Sequence, residues 1–159
     1  MISATFTGKI ISSFESALEA CVVLTAFIPM LMDTGGNAGG QASVTIIRGL
    51  SLDEIEFGDI LKVIFKEVRV AGLCGITLTI CNFAKLMLLD KVGFSVALVI
   101  CLTLVCVVLI AKIVGCTLPM FAKRIGFDPA VMASPFITTI VDAISLFIYF
   151  QIATALLHI

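Results

Sequence analysis

Charge is what this sequence has least of. Lys, Arg, Asp and Glu make up only 13% of its 159 residues, against 60% hydrophobic residues and a mean hydropathy of +1.22. So little polar surface cannot cover a soluble globule, in which about a quarter of the residues are charged. The sequence therefore reads as a polytopic membrane protein. A basic excess is missing too, and the formal net charge of -1 argues against nucleic acid as a partner. No CxxC pair occurs among Cys21, Cys74, Cys81, Cys101, Cys106 and Cys116, and all six sit in apolar runs. That spacing leaves them as packing or lipid-facing groups rather than zinc ligands or a redox pair. The first residues lack the basic start, short apolar core and small-residue cleavage site of a removable signal peptide, so insertion rests on the spans themselves.

At about 20 residues per crossing of a hydrocarbon layer roughly 30 Å thick, the chain allows about five spans and leaves no room for a soluble domain. The expected fold class is all-α, a polytopic membrane helical bundle with residues 1–159 forming one transmembrane domain. Met1 to Phe14 is helical in pattern but reaches only about 20 Å, so the first span is either truncated or unusually short. Glu15 and Glu19 precede the apolar run Ala20 to Met32, which opens a second span. They read either as a solvated helix start or as a cation-attracting mouth. Within the hydrophilic stretch Arg48 to Arg69, Ile60, Leu61, Ile64, Phe65 and Val68 recur at helical spacing. This predicts an interfacial helix leading into a third span, Val68 to Leu89. After the turn Asp90-Lys91, a fourth span, Val92 to Phe121, carries Pro119 as a kink point and Lys112, which either snorkels or pairs with an Asp. Asp128-Pro129 signals a fresh helix start. Arg48, Lys62, Lys66, Arg69, Lys123 and Arg124 flank the loops after spans two and four, whereas Lys85 and Lys91 flank the loop after span three. Basic enrichment of cytoplasmic loops then predicts a multi-pass protein of the cell membrane with its N-terminus inside and its C-terminus outside.

Two polar stripes interrupt the apolar runs. On a helix, Ser134, Thr138, Asp142, Ser145 and Tyr149 share one face, at steps of 4, 4, 3 and 4. An ionised Asp at the middle of a span costs roughly 2.5 to 3.5 kcal/mol, so Asp142 is expected to face a partner helix, a cation or water. It is the first functional candidate. In the second span, Asp33, Asn37, Gln41, Thr45 and Arg48 follow at steps of 4, 4, 4 and 3 beside Gly35, Gly36, Gly39 and Gly40. Those glycines cost up to about 1 kcal/mol each in a helix interior unless close packing or an opened backbone uses them. Their GxxxG spacing fits close helix packing with amide hydrogen bonds between helices, and the stripe beside them fits a lined ion path. Both readings stay open.

The segments PMLMDTGGNAGGQASVTIIRGL (Pro29 to Leu50) and FDPAVMASPFITTIVDAISLFIY (Phe127 to Tyr149) resemble the transmembrane domain of MgtE-type magnesium channels. The likeness runs along nearly the whole chain, and its GGNxGxQ and PFITTxxD elements are specific together. It implies five helices per subunit, a homodimer, and a hydrated Mg²⁺, the transported ion, held near Asp142. Gly36, Asn37 and Gln41 would represent the family's glycine- and amide-rich second helix, while Gly40 and Ala42 stand where Asn and Ser often occur. Mg²⁺ dehydrates reluctantly, so few carboxylates acting through retained waters suffice. Asp142, Thr138, Asp33, Asn37 and Gln41 are accordingly the expected metal-recognising residues.

An enzyme reading rests on Asp33-Thr34-Gly35, which matches the D-T-G of aspartic proteases; the tripeptide there occupies a β-loop, whereas here it continues a helical pattern. The expectation is a non-enzyme. A secondary transporter exchanging Mg²⁺ for Na⁺ or H⁺ through Asp33, Asp142 or Lys112 is the alternative to a channel, and a non-transporting subunit is a third. Full-length members of the resembled family carry cytosolic and CBS domains that have no counterpart in these residues. Control is therefore expected from a separate regulatory subunit or from the acidic cluster Asp53, Glu54, Glu56 and Asp59, with little shut-off by millimolar Mg²⁺ on the cytoplasmic side.

Overall fold

A computed structural model describes residues 2–132 and 135–158. They form α1 (Ile2–Ser13), α2 (Glu15–Ala20), α3 (Ile28–Ser51), α4 (Ile60–Leu88), α5 (Phe94–Arg124) and α6 (Pro135–Leu157), with short 3-10 turns at Val22–Phe27, Phe57–Asp59 and Pro129–Met132. No strand occurs among the described residues. Three helical stretches, Phe57–Leu88, Phe94–Arg124 and Pro135–Leu157, are long and apolar enough to cross a membrane. With its 24 residues α3 is about 36 Å long, but its glycines and polar stripe dilute its apolar character. At 12 residues α1 is too short to cross.

Two boundaries differ from the sequence reading. The second span begins at Ile28 rather than Ala20, because Cys21 breaks the helix at φ -141° and ψ 79° and Val22–Phe27 winds as a 3-10 turn. Pro29 in the first turn of α3 is the start signal that marks this entry, since its missing N–H has no helical partner there anyway. The interfacial helix and the third span are one continuous α4 of 29 residues. No proline interrupts residues 60–88, and Gly72 and Gly75 alone do not stop a helix. Leu61 and Phe65 point outward, while Val63, Glu67, Ala71 and Gly75 at steps of four are buried.

α5 is the central helix, packed by α3, α4 and α6, and α3 and α6 also pack on each other. α1 lies along α6, with Phe14 stacked on Phe150 at 4.9 Å. Where α3 crosses α5, a Cβ on Gly115 would collide with the carbonyl oxygen of Gly39 and come within 2.9 and 3.0 Å of its carbonyl carbon and Cα. Only glycine permits that approach. Pro119, buried one turn later, removes the helical bond to the Gly115 carbonyl, yet α5 continues through it to Arg124.

The two basic loops meet at one end of the bundle. Lys123 Nζ donates to the Leu50 carbonyl at 2.5 Å and to Asp53 Oδ1 at 3.1 Å, and the Arg124 guanidinium sits 4.1 Å from the centre of the Phe57 ring. Gly126, at φ +83°, closes α5: its N–H bonds the Lys123 carbonyl and the Phe127 N–H bonds that of Ala122, satisfying two carbonyls the helix leaves open. The expected start at Asp128-Pro129 is a 3-10 turn, with Asp128 Oδ1 accepting the Ala130 N–H at 2.9 Å. At the opposite end Lys85 pairs with Asp90 at 2.7 Å across the turn into α5.

Candidate functional site

α3 has two unlike faces. Gly35, Gly36 and Gly39 turn inward with Leu31, Ala42 and Ile46, while Asp33, Asn37, Gln41, Thr45 and Arg48 are exposed on the other side. The inward glycines are packing devices. A Cβ at Gly35 would come within 2.8 Å of Val107 and 2.9 Å of Val141, and one at Gly39 within 3.1 Å of both the Ala111 carbonyl and Ile137. Gly40 is different, because a Cβ there would meet nothing within 4 Å. Close packing is thus seen at Gly35 and Gly39, whereas the Asn37 amide bonds Asp33 within α3 rather than a neighbouring helix, and the stripe faces outward.

The stripe meets α6 along an open groove. Near one end a cavity of about 190 Å³ is lined by Met32, Asp33, Gly36, Asn37, Thr138 and Asp142. A larger one of about 630 Å³ continues from it, lined by Gly36, Asn37, Gly40, Gln41, Val44, Thr45 and Thr138. Gly36, Asn37 and Thr138 border both, so all five residues singled out in the sequence (Asp142, Thr138, Asp33, Asn37 and Gln41) lie along one groove. Gly36 is what lets the two helices present them together, for a Cβ there would touch Thr138 Cγ2 at 3.3 Å and lie 4.0 Å from Asp142 Oδ1.

Local hydrogen bonds set the polarity of the groove. Asn37 Nδ2 donates to Asp33 Oδ2 at 3.1 Å, which steadies that carboxylate and leaves the Asn37 carbonyl oxygen as an acceptor. The Thr138 hydroxyl donates to the Pro135 carbonyl at 3.1 Å, so its oxygen keeps accepting capacity toward the cavity. Among the described residues no group hydrogen-bonds or ion-pairs with Asp142. No cluster of three His, Cys, Asp or Glu side chains capable of holding a metal forms among them either. Two carboxylates with amide and hydroxyl oxygens suit an oxygen-seeking cation that keeps its waters, not a dehydrated ion in a closed cage.

The α6 stripe is not one continuous lining. Ser145 and Tyr149 are buried within the subunit, and the Tyr149 O–H donates to the Leu24 carbonyl at 2.9 Å, fastening the 3-10 turn to α6. Ser134 lies outside the described residues. Lys112 pairs with Glu67 at 3.2 Å rather than with an Asp, both side chains being buried. Sequence reasoning passes over Glu67 because the segment around it reads as an interfacial helix within a hydrophilic stretch. The signal that points to it is the four-residue spacing from Val63 to Gly75, which turns it inward.

A family model described as a divalent cation transporter, MgtE, matches residues 28–152. The chain belongs to the MgtE family. Three proteins named "Magnesium transporter MgtE" are similar to it: 36% identical over 99% of the chain in Thermus thermophilus, 37% over 96% in Bacillus subtilis and 32% over 93% in Enterococcus faecalis. The aligned regions cover 35%, 34% and 32% of those proteins, so the chain spans about a third of the length of the curated relatives it matches. The MgtE match opens at Ile28, where α3 begins, and takes in the whole groove. Asp33-Thr34-Gly35 lies in the first half of α3, not on a β-loop, and the family is one of transporters rather than enzymes.

Proposed function

We propose that the chain is the pore-forming part of a Mg²⁺ channel of the cell membrane, and that it works as a homodimer. The observation that carries this reading is the cavity uniting Asp33 and Asp142 with Asn37 and Thr138 at the edge of an open polar groove. Its volume of about 190 Å³ far exceeds the roughly 10–15 Å³ that one water needs, so an ion can remain partly hydrated there. Asp142 supplies the attracting charge, and Asp33, Asn37, Gln41 and Thr138 hydrogen-bond the ion's waters. A divalent ion gains more than a monovalent one from paired carboxylates beside apolar walls.

The same groove argues for a second copy. In one subunit the stripe from Asp33 to Arg48 is exposed, and a polar stripe at membrane depth belongs against protein or water rather than lipid. Two copies related by a two-fold axis would face their stripes toward each other, enclose the path and double Asp142 at the axis. Reconstitution in liposomes tests the reading. Mg²⁺ flux should proceed without a Na⁺ or proton gradient and should fall strongly in Asp142→Asn, which keeps the side-chain volume and removes the charge. Undiminished flux in that variant would remove Asp142 from the path, and flux strictly dependent on one of the gradients would replace the channel by an exchanger.

A further inference from the structure

A second cavity, of about 220 Å³, lies on the other flank of α3, lined by Asp33, Thr34, Asn37, Ala38 and Gln41 together with Cys74 and Leu78 of α4 and Val108 and Lys112 of α5. Asp33 and Asn37 therefore border open space on both flanks of α3, and a cation attracted to them has two ways to arrive. The flanks differ in charge. Toward α6 the second charged group is the Asp142 carboxylate, whereas toward α4 and α5 it is the Lys112 ammonium. Lys112 borders this cavity and Glu67 does not, although the two side chains are 3.2 Å apart and only 8% and 5% of the residues are exposed. The pair is thus a buried dipole with its positive end toward the cavity. Glu67 holds Lys112 at that depth, since a lone ammonium would otherwise snorkel away.

We propose that Lys112, held by Glu67, is a specificity-determining residue whose ammonium bars cations from the cavity between α3, α4 and α5 and confines them to the Asp33–Asp142 flank. The idea rests on the pore reading above. From the Lys112 flank the charge of Asp33 is offset by the ammonium, so although Thr34, Asn37 and Gln41 border this cavity too, an entering cation finds no net attraction there. From the Asp142 flank the charges add. The ion then meets both carboxylates only along that route.

Cys74, an exposed residue that borders this cavity, supplies a readout independent of transport. In the purified full chain, Cys74 labelling by methanethiosulfonate reagents bearing a trimethylammonium or a sulfonate group is followed by peptide mass mapping, which separates it from the other cysteines. The anionic reagent is expected to react relatively faster than its ratio with a free thiol predicts. Lys112→Arg should keep that preference, and Lys112→Met should shift the ratio toward the cationic reagent by about tenfold. Where Lys112→Met alone does not fold, Glu67→Gln/Lys112→Met keeps the packing neutral, and the same loss of preference is expected. Sodium leak into liposomes free of Mg²⁺ should rise severalfold in whichever neutral variant folds. An unchanged labelling ratio in that variant overturns the barrier, and a changed ratio with an unchanged leak overturns its part in ion selection. Absence of Mg²⁺ flux in the unaltered protein would sink the pore reading instead, while the labelling ratio would still decide whether Lys112 sets the charge of the cavity.

Discussion

Replacing Gly115 with Ala should destabilise this bundle although alanine is the better helix former. The added Cβ would press on the carbonyl oxygen, carbonyl carbon and Cα of Gly39, all backbone atoms of α3 that cannot rotate away as a side chain would. Overpacking of this kind costs about 1–3 kcal/mol, and contact with backbone places Gly115→Ala near the upper end. Alanine gains up to about 1 kcal/mol over glycine in a helix interior, which leaves a net loss of about 2 kcal/mol. For a chain of this size that corresponds to a midpoint lower by roughly 4–8 °C. Gly72→Ala is the control, because a Cβ there meets nothing within 4 Å and only the propensity gain remains, about 2–4 °C upward. The sequence has no Trp, so the assay is loss of helical circular dichroism together with monodisperse elution after heating in detergent. A Gly115→Ala protein as stable as the parent would refute the close crossing of α3 and α5. So would equal losses from both substitutions, which would trace the effect to glycine content rather than to contact.

Tyr149→Phe removes the side-chain hydrogen bond to the buried Leu24 carbonyl, and should cost about 1–3 kcal/mol in the same heating assay while leaving ion selectivity intact. Lys112→Met strands the Glu67 carboxylate and should cost about 3–5 kcal/mol, whereas Glu67→Gln/Lys112→Met should fall within about 1 kcal/mol of the parent; equal losses from the two would show that the pair does not act as a unit. Gly126→Ala forces a left-handed turn on a residue with a Cβ and should cost about 1 kcal/mol, measured against Gly93→Ala, where φ is negative and no atom lies within 4 Å. Asp33→Asn should lower Mg²⁺ flux no more than Asp142→Asn does, and the reverse order would make Asp33 the principal attracting charge.

The groove is legible in the sequence because both of its walls carry their signal at single-helix spacing. Asp33, Asn37 and Gln41 fall four apart, as do Thr138 and Asp142, and side chains so spaced share a face whatever the rest of the fold does. That the two walls would meet is carried by the family resemblance, not by periodicity. What stays hidden depends on contacts across the chain. Ser145 and Tyr149 continue the Asp142 stripe in sequence, but Gly35 and Leu24 approach them and turn that half of the stripe into packing. Gly115 carries no local mark of its role, since only the arrival of Gly39 makes its missing side chain necessary. Glu67 stands among charges at the sequence level, and its partner Lys112 comes from α5, 45 positions away. The helix boundary at Ile28 is readable from Pro29, but the apolar run beginning at Ala20 outweighs it because hydropathy does not distinguish a 3-10 turn from a span.

The composition of α3 follows from having two tasks on one helix. Between helices in a membrane the hydrophobic effect gives little preference, so association rests on close contact, and small residues on the inward face are what permit it. That face holds Gly35 and Gly39 against α5 and α6, while the outward face carries the polar stripe that borders the groove. Larger inward residues would part the helices, and loss of the outward polar residues would remove the groove's hydrogen-bonding groups. Gly36 sits where the two demands meet: the missing side chain that lets α6 approach is also what brings Thr138 and Asp142 to the edge of the stripe. Helix association and site geometry are therefore set by the same contact, and a change that loosens the α3–α6 packing moves the two carboxylates relative to each other. The glycine cost of about 1 kcal/mol per residue in helix propensity is offset by packing on one side and retained, on the other, as the position of a charge.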